Sequence, residues 1–274
     1  MGKKQYWNSE AKNARWIKEG RGQGAGSAYK PWLTVRDVPS EGRSHRVFGH
    51  LTQRTHHLLS DLELATFLLL QWRSTVTDIR EQFPLERALT QELCTRLGVE
   101  HPNQRGVDQY MSSDFVVDSK EKDRPRFVLQ VKAKKHLEVA RVVEKLEVER
   151  SYWKEKEIPF YLVTEGQIPP TVFENINLLY NYADDSIDQT ELSVPFELFR
   201  QQLPQHESLR LIDLCIHLDT AYSQEPGESL YQIKRLLALR YFHFDITTPF
   251  TKLRCSNLSA ENTSVLQEGW CVPG

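Results

Sequence analysis

Closely spaced cysteines are missing from this sequence. Its four cysteines, Cys94, Cys215, Cys255 and Cys271, form no CxxC pair and have no histidine partner at a zinc-ligand spacing. A zinc site is therefore not expected. Free thiols in a reducing cytoplasm are the simplest account of cysteines scattered in this way.

Long apolar runs are also missing. No stretch approaches the ~20 apolar residues that a membrane-spanning helix needs. The N-terminus has no apolar core of the kind found in a signal peptide. The glycine-rich run at residues 22–26 lacks the Lys-Ser/Thr pair that a nucleotide-binding P-loop requires. These absences exclude a membrane protein and a P-loop nucleotide-binding protein.

Positive charge is unevenly distributed along the chain. The net charge is −2 overall, but it is +7 over residues 1–57, −2 over 58–168 and −7 over 169–274. A basic arm gains affinity for DNA by releasing counterions from phosphates. The predicted phosphate contacts are Arg15, Lys18, Arg21, Lys30, Arg43, Arg46 and Arg54, with tryptophans interleaved. The alternative for such a segment is an ordinary solvated tail.

Two segments read as neighbouring strands that carry polar groups. Ser113–Val117 and Val128–Lys132 are dominated by β-branched and aromatic residues. Because side chains alternate along a strand, Gln130 and Lys132 share one face. An acid, Asp114, on the first strand and a lysine on the second could bind a divalent cation and steady an attacking water. A solvated strand face would give the same pattern.

A third candidate lies in a helix. Leu58–Trp72 is apolar nearly all round, which predicts a buried helix with Glu63 inside it. A buried carboxylate needs a partner, because its desolvation alone costs several kcal/mol. Glu63 could be a metal ligand, or it could close a capping box with Ser60. One residue can do both.

The helix predicted over 137–157 contains a fourth acid. Val142, Leu146 and Trp153 form its apolar stripe, and Glu149 falls on the same stripe. An acid on the inward face is either paired with a buried base or turned toward the site. Glu149 is thus a candidate metal ligand, or a residue that contacts one.

Several blocks together resemble the TnsA family, the endonuclease subunits of the heteromeric transposases of Tn seven-like transposons. The blocks are Trp16–Gly24, Pro31–Val35, Gly42–Arg46, His57–Glu63, Asp78–Leu85 and Arg105–Gln109. The resemblance covers most of residues 14–165 in order. Ser113 stands where nucleases of the PD-(D/E)xK type usually have proline, and Gln130 stands where they usually have an acid. The TnsA family shares both departures.

The resemblance implies an α/β fold: a restriction-endonuclease-like mixed sheet flanked by helices, then a mainly helical winged-helix-like part. It implies a catalytic domain at 1–168 that includes the basic arm, and a partner-binding domain at 169–274. It places the catalytic set at Glu63, Asp114, Gln130 and Lys132. Glu63, Asp114 and the backbone carbonyl of Gln130 would hold Mg²⁺, with Mn²⁺ as a substitute.

The implied function is Mg²⁺-dependent cutting of the non-transferred strand at the 5′ ends of a transposon, in the bacterial cytoplasm. The implied partners are transposon-end DNA, a TnsB-type DDE transposase and a TnsC-type ATP-dependent regulator that binds the C-terminal domain. The alternatives are a non-cleaving adaptor of the same complex and a stand-alone restriction or repair nuclease. The alternating segment Tyr241–Ile246 is predicted to be the wing strand.

Overall fold

The computed structural model of the protein describes residues 8–38, 42–183 and 189–260. The strands are β1 His45–Gly49, β2 Arg54–Leu58, β3 Val76–Pro84, β4 Asn103–Gln104, β5 Val107–Asp108, β6 Ser112–Ser119, β7 Arg126–Val131 and β8 Phe160–Val163. The helices are α1 Glu10–Lys18, α2 Asp61–Trp72, α3 Arg87–Leu97, α4 Ala140–Glu155, α5 Pro170–Tyr180, α6 Gln189–Gln202, α7 Leu211–Ala221 and α8 Glu228–Ala238. Described residues up to Gln167 form one compact unit, and those from Ile168 form another.

The N-terminal unit is built on a mixed four-stranded sheet in the order β3-β6-β7-β8. β6 runs antiparallel to both β3 and β7, whereas β8 is parallel to β7. Parallel neighbours need a crossover connection, and α4 supplies it between β7 and β8. The predicted acid-bearing hairpin is therefore the pair β6–β7 at the centre of the sheet.

Apolar side chains bind the helices to this sheet. Val116 of β6 and Val128 of β7 occupy paired positions and are almost fully buried. They belong to one core cluster with Leu93 of α3 and with Val148 and Trp153 of α4. Helix α2 packs against β3 and β7. The predicted mixed sheet flanked by helices is thus confirmed.

A small hairpin, β1–β2, is joined to β3 through a buried ion pair. The guanidinium of Arg54 donates to both carboxylate oxygens of Glu81, at 2.8 and 2.5 Å, and to the carbonyl of Ile79. Nδ1 of His56 lies 2.8 Å from the same carboxylate. Burial alone would raise the pKa of Glu81, but His56 and Arg54 outweigh it and lower that pKa to about 2.

The described part of the C-terminal unit is mainly helical. Helix α8 packs against α5, α6 and α7 and buries Ile233, Leu236 and Leu237. The predicted wing strand at Tyr241–Ile246 is wrong. In the part of the chain that the structure describes, this segment makes only an isolated bridge between His243 and Ser259. Its alternation comes from packing, because Phe242 is buried and contacts the ring of Phe196 on α6.

No helix among residues 8–38, 42–183 and 189–260 is long and apolar enough to cross a membrane. Residues 1–7 and 261–274 of the two predicted domains, and Cys271 with them, lie outside the described residues. The predicted assignment of catalysis to 1–168 and of partner binding to 169–274 stays a prediction.

Candidate active site

Asp114 is held near the start of β6 by two contacts to the neighbouring strand β7. Its Oδ2 accepts a hydrogen bond of 2.8 Å from the backbone N–H of Val131 on β7. Its own N–H donates to Oε1 of Gln130 at 2.9 Å. Gln130 therefore uses its side chain to bind β6, a role that needs an acceptor but no charge. This contact shows what the amide of Gln130 does at a position where an acid is usual.

Glu63 is fixed at the first turn of α2. Ser60 is the N-cap and accepts from the N–H of Glu63 at 3.1 Å. The carboxylate of Glu63 in turn accepts from the hydroxyl of Ser60 at 3.0 Å and from the N–H of Leu59 at 2.9 Å. The cap that Ser60 forms on the N–H of Glu63 is thus present, while the carboxylate of Glu63 binds the N–H of Leu59 and the hydroxyl of Ser60. These contacts also lock the orientation of the carboxylate.

Gln82 of β3 connects the two acids. Its side-chain Nε2 lies 3.4 Å from Oε2 of Glu63 and 3.1 Å from Oδ1 of Asp114, as a donor to both. Its Oε1 accepts from the hydroxyl of Ser112. One amide nitrogen can reach both carboxylates only if they converge, so residues 51 positions apart meet at one place. Sequence reasoning missed Gln82, although it lies within the block Asp78–Leu85.

The electrostatics of this cluster show strongly interacting charges. Burial and the charge of Asp114 together raise the pKa of Glu63 to about 8. The negative charge of Asp114 raises the pKa of Lys132, and Glu149 and Glu63 add to the effect against the opposing influence of burial. Lys132 therefore lies within electrostatic range of all three acids. It lies directly after the last residue of β7.

Glu149 belongs to the same cluster through Ser113. It is buried on α4, and its Oε1 accepts from the hydroxyl of Ser113 at 2.6 Å. That hydroxyl oxygen accepts from the indole Nε1 of Trp153 at 2.8 Å. Burial, followed by the charge of Asp114, raises the pKa of Glu149 to about 8. A proline at position 113 could not make these bonds, so the serine has a definite structural role.

Pairing of Glu149 with a lysine or arginine, one of the two alternatives, is not found among the described residues. Its direct partner is a hydroxyl, and the charge of Lys132 acts on it from further away. Glu149 is turned toward the candidate site, as the other alternative proposed.

The residues predicted to contact phosphate differ in how far their charges are already paired within the protein. The structure corrects the prediction that Arg54 contacts phosphate. Arg54 is buried against Glu81, so its N–H donors face the core and not solvent. Arg21 pairs with Asp37 at 2.7 Å and stacks over Trp16, which is fully buried. The arm is therefore a packed part of the unit around these residues.

The remaining predicted contacts are more accessible. Arg15 pairs with Glu19 and Arg43 with Asp61, while Lys30 donates to the carbonyl of Glu19. Lys18 and Arg46 are exposed, and neither pairs with an acid in the part of the chain that the structure describes. Lys18 and Arg46 are thus the best placed of the seven for DNA.

A divalent cation fits the chemistry of this site. Two buried carboxylates converge, and burial together with the charge of Asp114 raises the pKa of Glu63. A bound cation would offset both the burial and the repulsion between the two charges. No group of three or more His, Cys, Asp or Glu side chains among the described residues forms a metal cluster. The proposed set contains two carboxylates and one backbone carbonyl, which suits Mg²⁺, an ion that keeps several waters.

Comparison with known proteins gives matches along almost the whole chain. Residues 73–165 match the family model described as TnsA-like endonuclease N terminal, and residues 167–246 match TnsA endonuclease C terminal. The chain is 45% identical over 260 residues to the Transposon Tn7 transposition protein TnsA of Escherichia coli, covering 95% of each sequence. Glu63 lies outside both family-model matches but within a chain that the relative covers nearly completely.

A mixed sheet flanked by helices, matched by endonuclease models in both units, defines the class of the protein: it is a nuclease. The chain belongs to the TnsA family, as its sequence blocks indicated, and its function is that of a transposon endonuclease.

Proposed function

We propose that Glu63, Asp114, Gln130 and Lys132 form the catalytic site of a Mg²⁺-dependent DNA endonuclease. Glu63, Asp114 and the backbone carbonyl of Gln130 would hold Mg²⁺, for which Mn²⁺ can substitute. A bound divalent ion lowers the pKa of water and polarises a scissile phosphate. The reaction is hydrolysis of a phosphodiester bond.

The side chains of this chain have separate tasks in that reaction. Lys132 orients the nucleophile or neutralises the pentacovalent phosphate, as a compact ammonium on a flexible stem can. Gln82 keeps the carboxylates of Glu63 and Asp114 convergent. Ser113, which Trp153 holds in turn, fixes Glu149, whose charge acts on Lys132. The backbone of β7 fixes Asp114.

The observation that carries the proposal is the shared amide of Gln82. It brings together an acid at a helix start and an acid on a central strand, which the sequence separates widely. The raised pKa of Lys132 supports the same grouping, because it depends on Asp114, Glu149 and Glu63 together.

The wider role follows from family membership. We propose that the chain cuts the non-transferred strand at the 5′ ends of the element, in the bacterial cytoplasm. Its proposed partners are transposon-end DNA, a TnsB-type DDE transposase, and a TnsC-type regulator bound through residues 169–274. The net charge of −7 over those residues favours a protein partner there over broad contact with DNA.

Cleavage of end-containing DNA, with and without Mg²⁺ and the transposase partner, tests this proposal. Wild type should cut only with the metal and the partner. Glu63→Ala, Asp114→Ala and Lys132→Ala should each abolish cutting but still assemble with the partner and DNA, as checked by size-exclusion chromatography. Lys154→Ala, at an exposed position of α4 that does not line the site, is the control and should cut as wild type does.

Other outcomes would favour the alternatives. Unchanged cutting by all three variants would end the assignment of these residues. Assembly without any cutting by wild type would favour a non-cleaving adaptor. Cutting of transposon-end DNA by the purified chain alone would favour a stand-alone nuclease.

A further inference from the structure

A cavity of about 610 Å³ opens beside the proposed catalytic site. Its wall includes Gln130, Lys132 and Glu149 on the side of that site. On the other side it reaches the β4–β5 region, where Asn103, Gln104 and Tyr110 line it. The cavity therefore continues the site outward along one direction.

The charge of the wall favours an anionic ligand. Lys132, Arg141 and Lys145 line the cavity, and Glu149 is the one acid among the lining residues. Arg141 already pairs with Glu144 and donates to the carbonyl of Glu100. Lys145 pairs with no acid among the described residues. Its cationic head is thus available to a ligand.

Helix α4 arranges these groups in a row. Arg141, Lys145 and Glu149 are spaced four residues apart, so they succeed one another turn by turn along one face, about 5.4 Å per turn. Glu149 is the member that contacts Ser113 of β6. Lys145 lies one turn further out, and the charges of Arg141 and Lys132 both act on its amine.

The wall also contains a buried polar side chain. Asn8 lines the cavity and is only 3% exposed. Its Oδ1 is buried and has no hydrogen-bond partner among the described residues. Buried polar atoms in native proteins are nearly always satisfied by protein, water or a ligand.

The geometry points to a nucleotide subsite: the cavity holds the nucleotide next to the scissile phosphate, and Lys145 binds its phosphate. The amide groups of the wall then face the sugar and base of that nucleotide. The assignment rests on the proposed endonuclease function, because the scissile phosphate itself belongs at Lys132. It adds a DNA contact outside the basic arm.

The test combines a chemical change in the DNA with a change in the protein. Single phosphates on both sides of the cut would be replaced by uncharged methylphosphonates, and cleavage by the complex with the transposase partner would be measured. A methylphosphonate at one phosphate adjacent to the cut should lower the cleavage rate of wild type about tenfold to a hundredfold, because it removes a charged hydrogen bond. Lys145→Gln should cut unmodified DNA more slowly by the same factor. A methylphosphonate at that phosphate should not slow this variant any further.

Two control variants make the result specific. Lys154→Gln removes the same charge from α4 at an exposed position that does not line the cavity, so it should behave as wild type. Lys145→Arg keeps the charge, so it should stay sensitive to the same methylphosphonate. Thermal unfolding of each variant reports its folding separately.

Three results would overturn the subsite. The first is that Lys145→Gln cuts unmodified DNA as fast as wild type. The second is that no methylphosphonate adjacent to the cut slows wild type. The third is that methylphosphonates slow Lys145→Gln as much as wild type at every position. The proposed function fails in a different way, when Lys132→Ala cuts unmodified DNA as well as wild type does.

Discussion

The backbone of Gln82 has a φ of 49°, in the left-handed region that residues other than glycine seldom adopt. Such a conformation costs roughly 1–3 kcal/mol and tends to occur at functional sites. Here it occurs where a buried amide donates to two acids. We interpret the strain as the cost of aiming that amide at both carboxylates.

Gln82→Met should lower the cleavage rate about tenfold to a hundredfold, as loss of a residue that orients metal ligands usually does. Methionine keeps the bulk of the side chain but removes the donor. Gln91→Met is the control, because Gln91 donates to Asp108 away from the site. The cleavage rate, and the Mn²⁺ affinity measured by electron paramagnetic resonance, should both fall for Gln82→Met and stay unchanged for Gln91→Met. Equal metal affinity in the two variants would contradict the orienting role.

Alternation and apolar patterning predicted the strands and the buried helix that carry the proposed site, and the family resemblance chose the catalytic residues among their polar side chains, but neither predicted the supporting contacts. The β-rich composition of 113–117 and 128–132 predicted the central hairpin, and the sequence placed Glu63 in a buried helix. Gln82 escaped detection because a polar residue in a strand gives no sign of a left-handed φ. Arg54 looked like its basic neighbours, since only the tertiary fold shows that it is buried.

At the scale of elements, the β1–β2 hairpin depends on the buried pair between Arg54 and Glu81. The guanidinium also donates to the carbonyls of Gly26 and Ile79, so one side chain connects the arm, the hairpin and β3. A buried pair is costly to break on one side, because the remaining charge stays unpaired. Glu81 precedes Gln82 in β3, so the pair also supports the proposed site.

Stability should therefore depend on pH through Glu81. Its pKa is about 2 in the folded protein, against 4.5 for an ordinary glutamate. Because the unfolded chain takes up the proton first, stability is fully present above about pH 4.5 and is lost as the pH falls toward 2. The loss should be on the order of 3 kcal/mol.

Urea unfolding of wild type and of Glu81→Gln across this pH range measures the effect. The difference between the two should narrow as the pH falls. Glu174→Gln, an exposed acid on α5, is the control and should follow wild type at every pH. A constant difference between wild type and Glu81→Gln from pH 7 to pH 2 would show that the carboxylate charge adds no stability.

At the scale of the whole molecule, the positive charge is concentrated before residue 58 and the negative charge after residue 168. Part of the positive charge is already paired internally, at Arg21, Arg43 and Arg54. Affinity for DNA should therefore depend on a few exposed cations and remain modest without partners. The charge distribution is counted directly from the sequence, whereas the structure is needed to see which cations pair with acids.

The dependence of DNA affinity on salt concentration measures how many phosphates the exposed cations contact. Lys18→Ala and Arg46→Ala should each reduce the slope of log affinity against log salt by about 0.9 for duplex DNA, one phosphate contact each. Lys252→Ala, an exposed lysine in the C-terminal unit, is the control and should leave the slope unchanged. Fluorescence anisotropy with labelled end DNA gives the slopes. An unchanged slope for both arm variants would remove them from the DNA interface.

The indole of Trp153 hydrogen-bonds a serine that in turn hydrogen-bonds Glu149. Any rearrangement of that acid when an ion or DNA arrives should alter the electronic surroundings of this chromophore. The protein thus carries an intrinsic optical sensor of site occupancy. Titrations could follow its emission without an attached dye, and Trp153→Phe would show which part of the signal originates there.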